Sequence, residues 1–349
     1  MKILSRNILV RVDGSKGIGL GHVYNMLTVL DNLKDDKILI VMKSNKRLGS
    51  NKFKKCRYSV KYFSSKKELI LIIRRFKPQI IFNDILNTDP SYMQSLRPLC
   101  CLIVNFEDLG LGRKFANLVF NPIYFSKKQS KNEFYGNEYA CIRKEFRVSK
   151  KNYLRKNVKQ CVITFGGTDP TDKTFRTLKI IHNSGLTLIK WNVILGLGYR
   201  HRKKIKDLAD RVRKDGYTIN IIEKSDNLSS FIRDSDFAIS SNGRSVFEIA
   251  AMKVPIIAIA VNAREKQHSF VRYSKCGFHI DAFSNLENGL LLGCIKKMLK
   301  NKTRQKFIEN MMRYNLLDGL DRITKIINDE FKNLNDFSSN PKFLRRLME

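Results

Sequence analysis

The sequence predicts an α/β protein built from two Rossmann-like, doubly wound domains that face each other across a cleft. The chain has 349 residues, of which 43% are hydrophobic, enough for two well-packed domains. Short apolar runs alternate with helical patterns, as in parallel sheets covered by helices. The alternation pauses in the lysine-rich residues 126–157 and then begins again. We therefore expect an N-terminal domain at 1–150, a C-terminal domain at 151–332, and a polar, basic tail at 333–349.

The first half of the chain opens with the order β-loop-α-β. A strand at residues 7–12 leads through a glycine-rich loop into a helix that starts near His22, and a second strand follows at 37–42. This order is typical of a parallel sheet. The other elements predicted in this half are a helix at 68–76 and strands at 79–82, 99–104 and 118–120.

The second half repeats the same opening. A strand at 160–165 ends in a Gly-Gly loop, and a helix starts near residue 172. Ligands of doubly wound sheets bind outside the carboxyl ends of the strands, where these loops lie. The remaining predicted elements are strands at 191–195, 217–222, 237–240 and 255–261, and helices at 228–234, 245–252, 286–300 and 303–332.

The charge of the chain is strongly positive, with 66 Lys and Arg residues against 32 Asp and Glu residues and a net charge of +34. This charge favours anionic partners, such as phosphorylated substrates or anionic lipid head groups. A general bias in a sequence rich in Lys, Ile and Asn explains it equally well. The common nucleic-acid-binding motifs are missing from the sequence, so we expect no specific nucleic-acid partner.

Cysteine usage and hydropathy predict a cytoplasmic location. The chain has seven cysteines and no Cys-x-x-Cys pair, which argues against a disulfide framework or a thiolate zinc site. The first apolar stretch is interrupted by Arg6 and Arg11, so it is interpreted as a strand and not as a secretion signal. The longest apolar run, at 254–261, is too short to span a bilayer. Any contact with an anionic membrane is expected to be peripheral, on its inner face.

The first candidate segment is the glycine-rich loop at 13–22, between the first strand and the first helix. Glycines let the backbone approach a ligand closely, and a helix N-terminus offers free N–H groups. His22 would lie at the helix start and face the cleft, where an imidazole can act as a general base near neutral pH. The alternative is a tight turn with a surface histidine. The loop residues assigned to substrate binding are Asp13, Gly17, Gly19 and Gly21.

Two segments of the second domain also join strands to helices. The sequence Phe-Gly-Gly-Thr-Asp-Pro at 165–170 can present N–H groups and a hydroxyl to a diphosphate or a sugar. In the segment 241–248, Arg244 can pair with a phosphate oxygen and Glu248 can accept both hydroxyls of a ribose. Helix capping is the alternative for both segments. The substrate-binding residues assigned here are Gly166, Gly167, Thr168, Asp169, Ser241, Asn242, Gly243, Arg244, Ser245 and Glu248.

A fourth segment, at 262–268, follows the strand at 255–261. Its Gln267 and His268 can bind sugar hydroxyls, although a charged, solvated loop would have a similar composition. Weaker candidates fall elsewhere. Asp84 and Asp108 end strands, and each either faces the cleft or caps a helix. The Asp-Ser-Asp at 234–236 precedes a strand, which is the wrong end for the cleft. The remaining histidines are interpreted as structural; they are His182, His201 and His279.

The motifs of cofactor-binding proteins are missing. The first loop has the spacing GxxGxGxG and not GxGxxG, and no acidic residue follows the second strand to hold a ribose, so an NAD enzyme is disfavoured. The Gly-Gly loop has no GK[ST] and is not a P-loop. Because no paired metal-ligand spacing occurs either, we expect neither a cofactor nor a metal.

Taken together and in this order, the four segments resemble one family, the UDP-sugar hydrolases of the pseudaminic acid pathway with the related spore-coat polysaccharide proteins. The resemblance covers roughly residues 7–282. It implies a GT-B-like fold, the architecture of the transferase that adds GlcNAc to complete lipid II. The matching residues are Arg-Val-Asp at 11–13, Gly-Ile-Gly-Leu-Gly-His at 17–22, the segments 165–170 and 241–248, and the loop around Gln267.

The resemblance also implies a mechanism. UDP would lie mainly on the second domain, with its ribose on Glu248 and its diphosphate between the loop 166–168 and the turn 241–245. The sugar would project toward the first domain, where His22 would activate a water molecule that attacks the anomeric carbon. No metal is required if helix dipoles and cations neutralise the leaving diphosphate.

Several positions depart from the family pattern. Asn25 stands where the hydrolases carry an arginine, and 266–268 read Lys-Gln-His instead of an Asn-Gln pair. The Ser-Asn-Gly-Arg at 241–244 is similar to a branch found beside, or fused to, nonulosonate cytidylyltransferases, which implies association with such an enzyme. The sequence therefore leaves three functions, given in order of preference: a nucleotide-sugar hydrolase, a GT-B glycosyltransferase, and a non-catalytic nucleotide-sugar-binding protein.

Overall fold

The chain folds into two α/β units, each with a parallel sheet, which confirms the predicted fold class. These features come from a computed structural model. The structure describes residues 5–15, 17, 19–126, 130–148, 153–223, 227–281 and 288–338.

The first sheet lies in the N-terminal part of the chain. Its strands are β1 (Asn7–Val12), β2 (Lys37–Lys43), β3 (Ser59–Phe63), β4 (Ile80–Asp84), β5 (Leu102–Phe106), β6 (Leu118–Asn121) and β7 (Glu133–Tyr135). Their order is β3-β2-β1-β4-β5-β6-β7, and each neighbouring pair is parallel. The direction of winding reverses between β1 and β4, so their carboxyl ends form a crevice. The first glycine-rich loop and Asp84 both lie at this crevice.

Helices cover the faces of the first sheet. They are α1 (Gly21–Leu30), α2 (Ser50–Lys55), α3 (Lys66–Phe76) and α4 (Pro90–Leu96), with a short α5 (Lys144–Val148) in the connection to the second sheet. The sequence predicted α1 and most of α3. It missed α2, α4, α5, β3 and β7, which are short elements with mixed polar and apolar residues.

The second sheet has the strands β8 (Gln160–Thr164), β9 (Lys190–Ile194), β10 (Thr218–Ile222), β11 (Phe237–Ser241), β12 (Ile256–Ile259) and β13 (Gly277–Ile280). Their order is β10-β9-β8-β11-β12-β13, again with parallel neighbours. Here the winding reverses between β8 and β11. The loops after these two strands, at 165–172 and 242–244, carry the second and third candidate segments.

Nine helices follow in the described part of this half: α6 (Lys173–His182), α7 (Arg202–Lys214), α8 (Leu228–Asp234), α9 (Ser245–Ala251), α10 (Ala263–Lys266), α11 (Phe270–Ser274), α12 (Asn288–Leu299), α13 (Asn301–Met312) and α14 (Gly319–Ser338). None of the helices in the described ranges is both long and apolar enough to cross a membrane.

The last helix, α14, returns to the first sheet. Leu320, Ile323 and Ile327 lie three and four residues apart and join the core formed by β1 and α1. The sequence interpretation placed residues up to 332 in the second domain and began a separate tail at 333. That boundary is corrected, because α14 buries its apolar face on the first sheet and continues to Ser338. The remainder of the predicted tail, 339–349, lies outside the described residues.

Candidate active site

The loop that follows β1 is fixed to the segment after β2. The Gly14 N–H donates to the Lys46 carbonyl at 2.9 Å, and the Leu48 N–H donates to the Gly14 carbonyl at 2.9 Å. A Cβ atom on Gly14 would lie 2.2 Å from the Leu48 oxygen, so this contact requires glycine. The Asp13 carboxylate is buried and accepts two hydrogen bonds from Arg11, at 2.7 and 2.9 Å. Asp13 is therefore engaged within its own domain.

His22 is the second residue of α1 and is only 4% exposed. Its Nδ1 is hydrogen-bonded to Oδ1 of Asp84, the last residue of β4. The other oxygen of Asp84, Oδ2, accepts a hydrogen bond from the Asn25 amide at 2.7 Å. Because a carboxylate accepts hydrogen bonds, the Nδ1 of a neutral His22 carries the proton and Nε2 presents a lone pair. This is the arrangement that a general base requires.

Arg244, from the second domain, reaches into this cluster of the first domain. Its Nη1 donates a hydrogen bond to the Asn25 side-chain oxygen. Its Nη2 lies 2.9 Å from Oε1 of Glu107 and 3.8 Å from Oδ2 of Asp84. The sequence assigned Arg244 to a phosphate, whereas the structure places its guanidinium on three side chains across the cleft.

Glu107 follows β5 and has a positive φ of 53°, an uncommon conformation for a residue other than glycine. Its Oε2 lies 4.0 Å from Nδ1 of His22. His22, Asp84 and Glu107 together have the donor types of a divalent-cation site, with ligand atoms within 4.8 Å of one another. The guanidinium of Arg244 already lies against both carboxylates, so we assign the compensating positive charge to Arg244 and not to a metal.

The loop after β8 carries the residues Gly166, Gly167, Thr168 and Asp169. Gly166 has a φ of +70°, which glycine adopts at little cost. The Asp169 carboxylate accepts hydrogen bonds from the N–H groups of Lys173 and Thr174, both at 2.8 Å. Burial raises the pKa of this carboxyl despite the two donors. Asp169 thus caps α6, which was the alternative role for this segment, while the backbone of Gly166 and Gly167 forms the loop itself.

The glycine-rich loops of the two domains touch each other across the cleft. A Cβ atom on Gly167 would lie 3.0 Å from Cβ of Leu20, and one on Gly19 would lie 3.8 Å from Oγ1 of Thr168. Gly21 also faces the second domain, because a Cβ atom on Gly21 would lie 3.7 Å from Cδ of Arg244. A Cβ atom on Gly17, in contrast, would have no neighbour within 4 Å among the described residues. The cleft between these loops is therefore closed.

The turn between β11 and α9 is held by the loop of the fourth segment. The Asn242 N–H donates to Oε2 of Glu265 at 3.1 Å, and its side-chain amide donates to the Glu265 and His268 carbonyls at 2.7 and 3.0 Å. Gly243 lies against Glu265 as well, and Ser245 begins α9. Ser241 ends β11 and faces Gly166, with 3.8 Å from its Oγ to the ideal Cβ position of that glycine.

Glu248 is paired with an arginine of the connecting segment. Arg143 donates to both carboxylate oxygens of Glu248, from Nε at 2.6 Å and from Nη2 at 2.9 Å. Arg143 also lies over the rings of Tyr24 and Phe146, at 4.8 and 4.6 Å from their centroids. A ribose bound to Glu248 would have to share this carboxylate with Arg143 or displace it.

His268 is buried, whereas the neighbouring Gln267 is exposed. Nδ1 of His268 is hydrogen-bonded to the Asn242 carbonyl at 2.6 Å, so Nδ1 carries the proton. Burial lowers the pKa of His268 to about 4, and burial raises the pKa of Glu265 to about 7. Among the described residues, Nε2 of His268 has no hydrogen-bond partner. The structure therefore brings His268, but not Gln267, into the buried part of this segment.

Tyr124 brings the first domain into contact with His268. The two rings meet edge to face at 5.3 Å between centroids, and Arg264 lies 5.5 Å from the Tyr124 centroid. Burial raises the pKa of Tyr124 to about 12. Arg264 also donates to the Glu107 carbonyl at 2.7 Å. This contact therefore adjoins the His22 cluster.

The weaker candidates have structural partners. Asp108 accepts hydrogen bonds from the N–H and hydroxyl of Thr88, at 3.0 and 2.6 Å. Asp236 accepts from the Lys159 N–H at 2.7 Å, at the opposite end of β8 from the candidate site. His182 pairs with Asp215 at the surface. His279 lies 2.9 Å from the Asn242 amide and His201 packs beside Tyr199.

The sequence did not identify Asn25, Glu107, Tyr124 or Arg143 as site residues. Glu107 carried one usable signal, because it follows a buried strand just as Asp84 ends one. The others have no local pattern. Asn25 lies on a helix, and Arg143 lies 105 residues before its partner. The fold of the first domain brings Asn25 to Asp84, and the packing of the connecting segment on the second domain brings Arg143 to Glu248.

The two sheets and the cleft between them define a GT-B-like protein, and solved structures of that class are similar to it throughout. MurG of Acinetobacter baumannii has a TM-score of 0.67 at 10% identity and covers 93% of this chain and 99% of its own. A glycosyltransferase of Rickettsia africae has a TM-score of 0.60 at 14% identity, with 94% and 99% covered. HepE of Anabaena, solved in complex with UDP, has a TM-score of 0.56 at 11% identity, with 92% and 99% covered. At these identities the similarity is one of fold.

Two curated proteins are similar in sequence, while no family model matches the chain. The uncharacterized protein MJ1062 of Methanocaldococcus jannaschii is 27% identical over 283 residues, which is 74% of this chain. That alignment spans only 57% of the archaeal protein, so the chain corresponds to little more than half of it. The spore coat polysaccharide biosynthesis protein SpsG of Bacillus subtilis is 23% identical over 262 residues, covering 71% of this chain and 75% of SpsG.

Proposed function

We propose that this protein is a nucleotide-sugar hydrolase that works in the cleft between the two domains, with His22 as the general base. The observation that carries the proposal is the buried His22–Asp84 pair, which leaves Nε2 of His22 free to accept a proton. The substrate we propose is a UDP-(diacetamido-trideoxy)sugar of nonulosonic acid and surface polysaccharide synthesis. Both the similarity to SpsG and the similarity of fold to HepE, which was solved with UDP, support this choice.

The reaction follows from the position of the base. His22 Nε2 takes a proton from water while the water oxygen forms a bond to the anomeric carbon. The bond from that carbon to the diphosphate oxygen breaks, and its electron pair leaves with UDP. The products are the free sugar and UDP. Asp84 stabilises the imidazolium that forms, because its carboxylate stays hydrogen-bonded to Nδ1.

The second domain is proposed to hold the nucleotide. The backbone of Gly166 and Gly167 and the turn 241–245 would supply N–H groups for the diphosphate, and Glu248 of α9 would hold the ribose. Because Leu20 packs on Gly167, the two loops must separate before a diphosphate can enter. His268 and Tyr124 would then contact the sugar. Contact with an anionic membrane and association with a nonulosonate cytidylyltransferase stay predictions.

The second candidate is a glycosyltransferase. His22 would then take the proton of an acceptor hydroxyl, and the geometry of the base would be unchanged. The similarity of fold to the Rickettsia africae glycosyltransferase favours this candidate. The two activities differ in whether nucleotide is released in the absence of an acceptor.

The test is an acceptor-free release assay. The protein is incubated with a panel of UDP- and CMP-sugars, including UDP-2,4-diacetamido sugars, and the released nucleotide is quantified. We expect release of UDP that His22→Ala abolishes, while UDP binding measured by calorimetry persists in that variant. His182→Ala is the matched control, because His182 also pairs with an aspartate but lies at the surface, outside the site.

Each other outcome has a definite meaning. UDP binding without acceptor-free release contradicts the hydrolase and favours the glycosyltransferase if an added acceptor restores turnover. Binding without turnover under either condition favours a non-catalytic nucleotide-sugar-binding protein. Equal loss of release in His22→Ala and His182→Ala would show that His22 has no special role.

A further inference from the structure

The guanidinium of Arg244 crosses from the second domain into a buried polar cluster of the first. It contacts the Asn25 oxygen, lies 2.9 Å from Glu107 and lies 3.8 Å from Asp84. Its side chain is 17% exposed, and those of Glu107 and Asp84 are 6% and 0% exposed. Charges this close and this poorly hydrated interact much more strongly than charges at a surface.

The geometry of His22 depends on this contact through one intermediate. The Asn25 amide donates to Asp84 Oδ2 at 2.7 Å, and its oxygen accepts from Arg244. Arg244 therefore fixes which way the Asn25 amide points. With the amide fixed, Asp84 keeps Oδ1 for the Nδ1 proton of His22.

The charge of the cluster depends on Arg244 as well. Asp84 and Glu107 are two carboxylates close to the His22 imidazole. The connecting segment adds Cys141, and burial raises the pKa of this thiol to about 12, so it contributes no charge near neutral pH. Without the guanidinium, the negative potential of both carboxylates would favour a protonated imidazolium at His22. An imidazolium cannot accept a proton from water.

We propose that Arg244 is a positioning residue that completes the His22–Asp84 pair only when the two domains are together. It holds the Asn25 amide on Asp84 and places a positive charge beside both carboxylates, so closure of the cleft completes the base. The role of Arg244 in the reaction rests on the proposed function. The contact and its effect on His22 are measurable without any substrate, so the two proposals fail separately.

The experiment follows the ring nitrogens of His22 by NMR of full-length protein labelled with ¹⁵N-histidine. The chain has 5 histidines, and His22→Gln identifies the signal. In Arg244→Gln we expect the pH midpoint of the His22 titration to rise by about one pH unit or more, since an unbalanced carboxylate within about 4–6 Å shifts a titration by roughly 1–3 units. In the double variant Arg244→Gln/Glu107→Gln the midpoint should return most of the way to the wild-type value.

Arg264→Gln is the matched control. Arg264 also reaches from the second domain to Glu107, but it contacts the backbone carbonyl at 2.7 Å and leaves the carboxylate alone. We expect this variant to leave the His22 midpoint where it is in the wild type. If Arg244→Gln does not fold, Arg244→Lys takes its place. Lysine keeps the charge but cannot form the fork of contacts, so the midpoint should stay while the Nδ1–H signal of the Asp84 hydrogen bond weakens.

Three results would overturn the proposal. The first is an unchanged His22 midpoint in Arg244→Gln. The second is a His22 midpoint in the double variant that equals the midpoint in Arg244→Gln alone. The shift would then come from a general loss of structure and not from the charge of Glu107. The third is binding of one equivalent of Zn²⁺ to the wild-type protein with loss of the His22 Nδ1 proton, which would make the cluster a metal site.

Discussion

Asp84 is the side chain on which the orientation of His22 depends. Asp84→Asn keeps the size of the side chain but removes the charge, and it can turn an N–H toward His22 instead of an oxygen. We expect the rate of UDP release to fall on the order of 100- to 10,000-fold, the usual contribution of a positioned general base. UDP affinity should stay unchanged, because Asp84 lies in the first domain.

Asp215→Asn provides the comparison for this prediction. Asp215 pairs with His182 at 2.5 Å, but the pair is solvent-exposed and lies in the second domain. Turnover of Asp215→Asn should equal that of the wild type. A fall in both variants, or in neither, would contradict a special role of Asp84.

The sequence predicted individual site residues where a local pattern existed. His22 follows a glycine-rich loop, and the structure places it in a buried cluster at the cleft. For Asp84 the sequence allowed two roles, a side chain that faces the cleft or a helix cap. A single sequence does not show which other side chains lie near the end of a strand. Arg244 was expected near phosphates, yet its contacts lie 219 residues away at Asn25. Contacts of that kind arise from domain packing, which no local spacing encodes.

The loop that contains α10 holds two groups with opposed pH behaviour. Burial raises the pKa of Glu265 to about 7, above its ordinary value of 4.5, so the folded state favours the protonated acid. Its contribution to stability is present below pH 4.5 and is lost as the pH rises through 7. The pKa of His268 is lowered by burial to about 4, below 6.5, so its neutral form is favoured and stability is lost as the pH falls through that range.

Glu265→Gln separates these contributions. Relative to the wild type, the free energy of unfolding of this variant should rise by about 3 kcal/mol between pH 4.5 and pH 7, since a pKa unit corresponds to about 1.4 kcal/mol. His268→Asn should show the opposite slope relative to the wild type between pH 4 and pH 6.5. The single tryptophan, Trp191, lies in the core of the second domain, so its fluorescence reports urea unfolding there. Parallel stability curves for all three proteins would refute the assignment.

Strands and helices were predictable to different degrees. The buried parallel strand β12 is a continuous apolar run and β8 has an apolar centre, and the sequence placed both strands closely. For α14 the sequence predicted a helix but assigned it to the wrong domain. The apolar stripe of α14 indicates that one face of the helix is buried, but it does not indicate which sheet this face packs against. The residues of β1 and α1 that cover this face lie about 300 positions earlier in the chain.

The closed arrangement of the two domains has a consequence for binding. The loops proposed to hold the diphosphate contact each other, because Leu20 of the first domain packs on Gly167 of the second. Arg244 and Arg264 add polar contacts across the same cleft. Nucleotide entry therefore requires the domains to separate, and the free energy of these contacts opposes binding.

A disulfide between the loops tests this opening. In Leu20→Cys/Gly167→Cys the two Cβ atoms would start 3.0 Å apart, slightly closer than the roughly 3.5–4.5 Å of natural disulfides, so a small separation allows the bond. We expect the oxidised protein to bind UDP at least about tenfold more weakly than the reduced protein, with recovery after dithiothreitol, because a bridged cleft cannot open. The two single-cysteine variants control for the seven native cysteines and for the loss of the Leu20 side chain. A bridged protein that binds UDP as well as the reduced one would place the nucleotide away from these loops. Failure to form the bridge would show that the loops do not meet in solution.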